Sequence, residues 1–321
     1  MALHIHNLHN GYGDAKILHG ITATLPAGKI TALIGPNGCG KSTLLKTLAR
    51  LLPPQSGDIT LDGEAIYHMS PRRFARRLSL LPQHHMVPEG INVRTLVGYG
   101  RSPYLNLWGR LGKADLDISA LDYVLQGDAE LQVFQTILAQ AEAQNDGMKQ
   151  AEYHAKLEEI DAYTAPARAA KLLNGLGFSQ EEHSRPVKSF SGGWRMRLNL
   201  AQALICRADL LLLDEPTTYL DLNHQIALMD MMRAQQEKGT TVITVLHDLN
   251  QAARYCDHLI VLKAGQLVAE GSPAEVLTPA LLADVFAVNA APYTCPVSGK
   301  PMCIVKESVL EEQADAAALA E

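Results

Sequence analysis

No apolar run in this 321-residue chain approaches the ~20 residues of a membrane-crossing helix, which excludes a helical integral membrane protein. Met1-Ala2-Leu3-His4-Ile5-His6 has neither the basic stretch nor the apolar stretch of an export signal. The expectation is therefore a cytoplasmic protein that meets a membrane only through a partner. The five cysteines, at 39, 206, 256, 295 and 303, have no metal-ligand spacing, and their odd number argues against a disulfide framework. They read as ordinary thiols of a reducing compartment. A redox role for Cys295 and Cys303, on either side of a proline–glycine turn, is the alternative. The 47 % hydrophobic content and mean hydropathy of −0.02 are those of a soluble globular protein with ample core.

What is present begins with one glycine-rich loop. Lys29-Ile30-Thr31-Ala32-Leu33-Ile34 reads as a buried strand, and Leu44-Leu45-Lys46-Thr47-Leu48-Ala49 as the start of a helix. Between them lie Gly35, Pro36, Asn37, Gly38, Cys39, Gly40, Lys41, Ser42 and Thr43. Such a loop turns consecutive backbone N–H groups onto phosphate oxygens at a helix N-terminus. Lys41 then reaches the β- and γ-phosphates, and Ser42 offers its hydroxyl to Mg²⁺. Gly35 and Gly40 fall where a Cβ would obstruct the approach. Cys39 reads as a small residue that fits. The chain is expected to bind a nucleoside triphosphate.

Four further pieces follow in order. Leu210-Leu211-Leu212-Leu213 is a short buried strand ending in Asp214 and Glu215. Asp214 would hold Mg²⁺ through water, and Glu215 would polarise the attacking water. Ser191-Gly192-Gly193 opens an apolar-periodic helix, with Ser191 as its N-cap, and makes a second anion-binding terminus. Thr241 to Leu246 is a β-branched strand that ends at His247, and Gln83 follows the apolar stretch Leu78-Ser79-Leu80-Leu81-Pro82.

This constellation resembles the ATP-binding cassette (ABC) family over essentially residues 2–305. The resemblance implies an α/β P-loop NTPase fold, an ABC-type nucleotide-binding domain with an inserted helical subdomain. It implies that Tyr12 stacks on adenine, that 35–43 is the Walker A loop, and that Gln83 is the Q-loop glutamine, a further Mg²⁺ ligand. It makes Ser191, Gly192 and Gly193 the signature acting in trans, Asp221 the D-loop aspartate, and His247 the switch histidine. Catalysis would then rest on Glu215, His247, Gln83 and Lys41, with ATP and Mg²⁺ sandwiched between two copies of the chain.

A more particular resemblance runs through both ends. Leu81-Pro82-Gln83-His84-His85-Met86-Val87-Pro88-Glu89-Gly90-Ile91, Leu107-Trp108-Gly109-Arg110-Leu111 and Pro296-Val297-Ser298-Gly299-Lys300-Pro301-Met302-Cys303 are similar to the importer ATPases for iron(III) dicitrate and ferric siderophores. That likeness covers about 1–115 and 214–305. From about 116 to 213 the chain instead resembles the ABC-F ATPases that act on ribosomes. Trp194-Arg195-Met196-Arg197 after the signature is typical of that branch, where an importer usually carries Gln. The two likenesses together imply a chimera of two ABC branches.

Within the middle block, Leu131, Phe134, Leu138 and Ala141, then Tyr153, Leu157 and Ile160, mark two helices joined by the turn Asn145-Asp146-Gly147. Pro166 is expected to break the pattern. Residues 127–165 hold eight acids against Lys149 and Lys156, a net −6 equal to that of the whole chain. Such a surface repels phosphate, so no nucleic-acid partner is expected outside the ribosomal alternative. One ATPase domain over 1–305 is expected, its core at about 2–83 and 206–275 and its helical subdomain at 84–205. Residues 306–321 read as an acidic, frayed tail. His4–Leu8, His258–Leu262 and Gln266–Ala269 are expected to share the β edge that holds Tyr12.

The expected function is that of the subunit energising ferric-chelate import through a permease, as a peripheral protein on the cytoplasmic face of the membrane. The alternatives are a ribosome-acting ATPase and an ATPase coupled to no partner.

Overall fold

The structure, a computed structural model, describes residues 2–82, 117–218 and 220–308. The strands in chain order are β1 Leu3–Tyr12, β2 Ala15–Leu25, β3 Ile30–Ile34, β4 Ser56–Leu61, β5 Glu64–Ala65, β6 Leu78–Leu81, β7 Leu210–Leu213, β8 Thr241–Val245, β9 His258–Lys263, β10 Gln266–Gly271, β11 Val288–Thr294 and β12 Pro301–Ser308. The chain divides into two compact units. One comprises Met1–Ser70, Asp209–Pro216 and Met232–Glu321, and the other Pro71–Ala208 and Thr217–Met231.

In the first unit, β3, β7, β8 and β9 are near-continuous apolar runs because they lie in the middle of a parallel sheet. The strands run β10-β9-β3-β8-β7, with β3 parallel to both β8 and β9, and β10 antiparallel to β9. All functional loops that follow β3, β7 and β8 therefore leave the sheet at one end. A second, antiparallel sheet has the order β2-β1-β4-β5. Its first strand alternates, with Leu3 and Ile5 inward and His4 and His6 outward. Here one expectation fails. β9 and β10 belong to the parallel sheet and not to the sheet that carries Tyr12. A strand of pattern LIVL suits a doubly covered sheet, and nothing local in a sequence names its neighbour.

The second unit is helical apart from β6. Helix Ala129–Ala143 packs on helix Gly147–Glu159 as an antiparallel hairpin. Asp128 caps the first helix through Leu131 N and Asp146 caps the second through Lys149 N. Leu131, Leu157, Ala162 and Ala165 form the buried seam, with Phe134, Leu138 and Ile160 against it. The turn uses Asn145, not the glycine, for its left-handed residue. Pro166 does not break a helix. It lies in the first turn of helix Ala165–Gly175, where its missing N–H costs nothing. The pattern is broken upstream, at left-handed Asp161 and the 3-10 turn Ala162–Thr164.

At the hairpin root, the fully buried Asp128 carboxylate meets Arg207 Nε at 2.9 Å and an Arg168 nitrogen at 3.5 Å. Arg207 also donates to the Ile160 carbonyl, so one guanidinium closes the start and the end of the hairpin together.

Candidate nucleotide site

The loop after β3 is built by left-handed backbone at Gly35, Gly38 and Gly40. A Cβ at Gly35 would stand 2.1 Å from the Leu262 carbonyl oxygen, and one at Gly40 would meet Leu18 at 2.7 Å. The glycines are thus required by neighbouring protein as well as by any phosphate. The turn between β9 and β10 buttresses the loop: Gly265 N donates to the Cys39 carbonyl, and His19 N donates to that of Gly265. Lys41 is buried, and its ammonium donates to the Gly35 and Pro36 carbonyls at 2.8 and 2.9 Å. Burial pushes the Cys39 thiol up, against the Lys41 charge, so it is no nucleophile at neutral pH.

Helix Lys41–Leu48 then presents Ser42, whose hydroxyl donates to Asp214 Oδ1 at 3.0 Å. Burial raises the Asp214 carboxyl above its usual range, opposed by that Ser42 hydrogen bond and reinforced by the Glu215 charge. Glu215 itself sits at φ 51°, a conformation that costs a β-carbon residue about 1 kcal/mol. It turns the chain as β7 ends. Its Oε1 lies 2.8 Å from Nε2 of His247, which follows β8. Lys41, Ser42, Asp214, Glu215 and His247 all belong to the first unit.

Tyr12, at the end of β1, leaves about half of its surface exposed. Lys46 donates to its hydroxyl at 3.3 Å and stands 5.8 Å from the ring centroid. Lys46 was not singled out in the sequence. Its only signal is a place one turn and a half beyond Lys41 on the same helix.

The second unit carries the other motif. Ser191 is the N-cap of helix Gly192–Ile205, as expected, and its side chain makes no capping bond. The residue is exposed, and Gly192 and Gly193 have open space where a Cβ would be. The start of this helix is exposed, and its N–H groups receive no capping bond from the Ser191 side chain. Behind them Phe178 packs edge-on against Phe190 and Trp194, and Arg197 lies over the Trp194 ring. Asp221 accepts from His224 N at 3.1 Å and from the His224 ring at 2.5 Å. Those bonds from His224 hold its carboxyl below the usual range. Gln83 lies outside the described residues.

Cys295 and Cys303 are free thiols, and Cys303 pairs across the hairpin with Pro292. Among the described residues no cluster of three His, Cys, Asp or Glu could hold a metal, and no helix is long and apolar enough to cross a membrane. Ser42 and Asp214 nevertheless present two hard oxygens side by side, a donor set that fits Mg²⁺ completed by phosphate oxygens and water.

Residues 18–218 match the family described as ABC transporter. The iron(3+)-hydroxamate import ATP-binding protein FhuC of Bacillus subtilis is 37 % identical over 304 residues, 94 % of this chain and 94 % of that one. The ferric enterobactin transport ATP-binding protein FepC of Escherichia coli is 36 % identical over 92 % of this chain and 90 % of its own. "Probable ATP-binding protein YheS" of Haemophilus influenzae is 41 % identical over 75 % of this chain but 31 % of its own length. Among solved structures, an inward-facing ABC transporter of metal-chelate type superposes with a TM-score of 0.60 at 22 % identity, over 96 % of this chain and 99 % of that one. That likeness speaks for the fold alone.

Proposed function

The chain belongs to the ABC transporter family and is an ABC-type ATPase; from that premise we propose that it energises import of a ferric chelate, iron(III) dicitrate or a siderophore, through a membrane permease. The observation that carries this reading is mutual coverage. Chain and importer subunit each cover 94 % of the other, so the likeness runs along nearly the full length of both sequences. It works as a homodimer on the cytoplasmic face of the membrane, docked on the permease.

The residues take roles that their geometry supports. Lys41 exchanges two loop carbonyls for β- and γ-phosphate oxygens, so no hydrogen bond is lost as ATP enters. Ser42 and Asp214, with Gln83, would hold Mg²⁺, which supplies positive charge against the charge developing on phosphate. Glu215 polarises the attacking water, and His247, 2.8 Å away, fixes the carboxylate and meets the γ-phosphate. The exposed N–H groups of Ser191, Gly192 and Gly193 belong over the triphosphate held by the second copy, and Asp221 stands at the same dimer seam.

A second reading, an ABC-F-type ATPase acting on ribosomes, is favoured by one observation: the identity to YheS, 41 %, exceeds that to the importers. Fractionation of expressing cells tests the two. The importer reading expects the chain with membranes when a ferric-chelate permease is co-expressed. It also expects that trimming the hairpin, by replacing 139–151 with a Gly-Ser turn, leaves ATP affinity within about twofold, because that tip lies beyond the buried root. Sedimentation of the intact chain with ribosomes, lost on trimming, would replace the importer reading with the second.

A further inference from the structure

Asn10 is a polar residue on the inward phase of β1, and it is fully buried. Its Nδ2 donates to Thr47 Oγ1 at 2.7 Å and to the Leu52 carbonyl at 3.4 Å, while its Oδ1 accepts from Gly11 N at 2.8 Å. The Thr47 hydroxyl is committed as donor to the Thr43 carbonyl at 2.8 Å, so its oxygen can only accept. The amide orientation of Asn10 follows from this chain of bonds, and an aspartate could not serve there. Gly11 adds a constraint, because a Cβ on it would stand 1.8 Å from the Ala15 carbonyl oxygen, next to a register shift of β1 against β2. One continuous relay therefore runs from the backbone beside Tyr12 to the first turn of the helix that carries Lys41, Ser42 and Thr43.

We infer that Asn10 and Thr47 are positioning residues that set the spacing between the Tyr12 platform and the phosphate loop, and so make the site read the nucleoside end of its substrate. Two rigid pieces hold the two ends of ATP: the loop after β3 takes the triphosphate and Tyr12 takes the purine. Without that buried tie, β1 and the helix would be joined by apolar contact and by the exposed Lys46–Tyr12 hydrogen bond, which tolerate small shifts that a stacked ring does not. Satisfied polar contacts inside a core fix one arrangement. This inference rests on the proposed role of Tyr12.

The test compares ATP with inorganic tripolyphosphate, which lacks the nucleoside, by displacement of a fluorescent ATP analogue from the full-length protein. Thr47→Val keeps shape and removes the relay. It is expected to weaken ATP by roughly threefold to tenfold while tripolyphosphate stays within about twofold, the loss of about one hydrogen bond. Tyr12→Ala is expected to show the same split, and the double variant to be no worse than Tyr12→Ala alone, as for two residues acting through one contact. Asn10→Ala provides a second break in the relay, and thermal melting confirms that each variant is folded. Equal loss of both ligands in Thr47→Val, or loss of neither, overturns the inference while Tyr12 keeps its role. Unchanged ATP affinity in Tyr12→Ala overturns the platform itself.

Discussion

Glu215→Gln is expected to lower ATP turnover by about 10²- to 10³-fold while leaving ATP affinity within about threefold. The amide keeps an oxygen that can accept from His247 at the present 2.8 Å, so the backbone at φ 51° and the neighbouring Asp214 need not move. What is lost is the negative charge that, in the proposed role, draws a proton from the attacking water. The Ser42–Asp214 pair and the phosphate loop are untouched, so binding survives. With hydrolysis blocked, ATP should drive a stable dimer, seen as a doubling of mass in light scattering after gel filtration. Turnover near that of the parent would remove Glu215 from the base role. Lys41→Ala should behave in the opposite way and lose binding, because its ammonium is the cation buried in the phosphate loop.

Asp128→Ala is expected to destabilise the second unit by about 2–4 kcal/mol. The carboxylate is wholly buried, and it is the shared acceptor of Arg207 and Arg168 as well as the cap of helix Ala129–Ala143. Its removal leaves guanidinium groups facing a carboxylate-sized void. Because both arginines are about a third exposed, water recovers part of the loss, which keeps the figure below that of a fully buried pair. Urea unfolding followed by the fluorescence of Trp194 reads this unit, since that indole packs on Phe178 within it. Asp146→Ala, at the exposed end of the same hairpin, should have a clearly smaller effect. Equal effects of the two substitutions would show that Asp128 is an ordinary cap.

The nucleotide chemistry was legible in the sequence because it is local. In residues 35–43 the proposed anion cradle would be made by the backbone itself, so the spacing of the glycines is its signal. The hairpin was legible for a similar reason: its apolar residues recur at helical spacing, and Asp128 and Asp146 sit where caps belong. Asp214 and Glu215 were likewise marked by the apolar strand that ends at them. Charge pattern also survived folding, since the acids of 127–165 are counted, not placed.

Partner choice was not legible. That β9 lies beside β3, that Glu215 meets His247, and that Asp128 sits between two arginines all depend on residues far apart in the chain. Strand alternation gives a face but no neighbour, and so β9 and β10 were assigned to the wrong sheet. Helix-start grammar gives a cap position but not its bond: Ser191 is the N-cap as expected, and its side chain makes no capping hydrogen bond. Asn10 is a buried polar side chain on an inward phase of β1, and its partner, Thr47, comes within reach only when β1 folds over the helix. The sequence alone thus determined which chemistry the chain carries. The tertiary structure decided how far apart its pieces are held, because distance between remote residues is set by packing and by buried hydrogen bonds that must be satisfied, neither of which local pattern encodes.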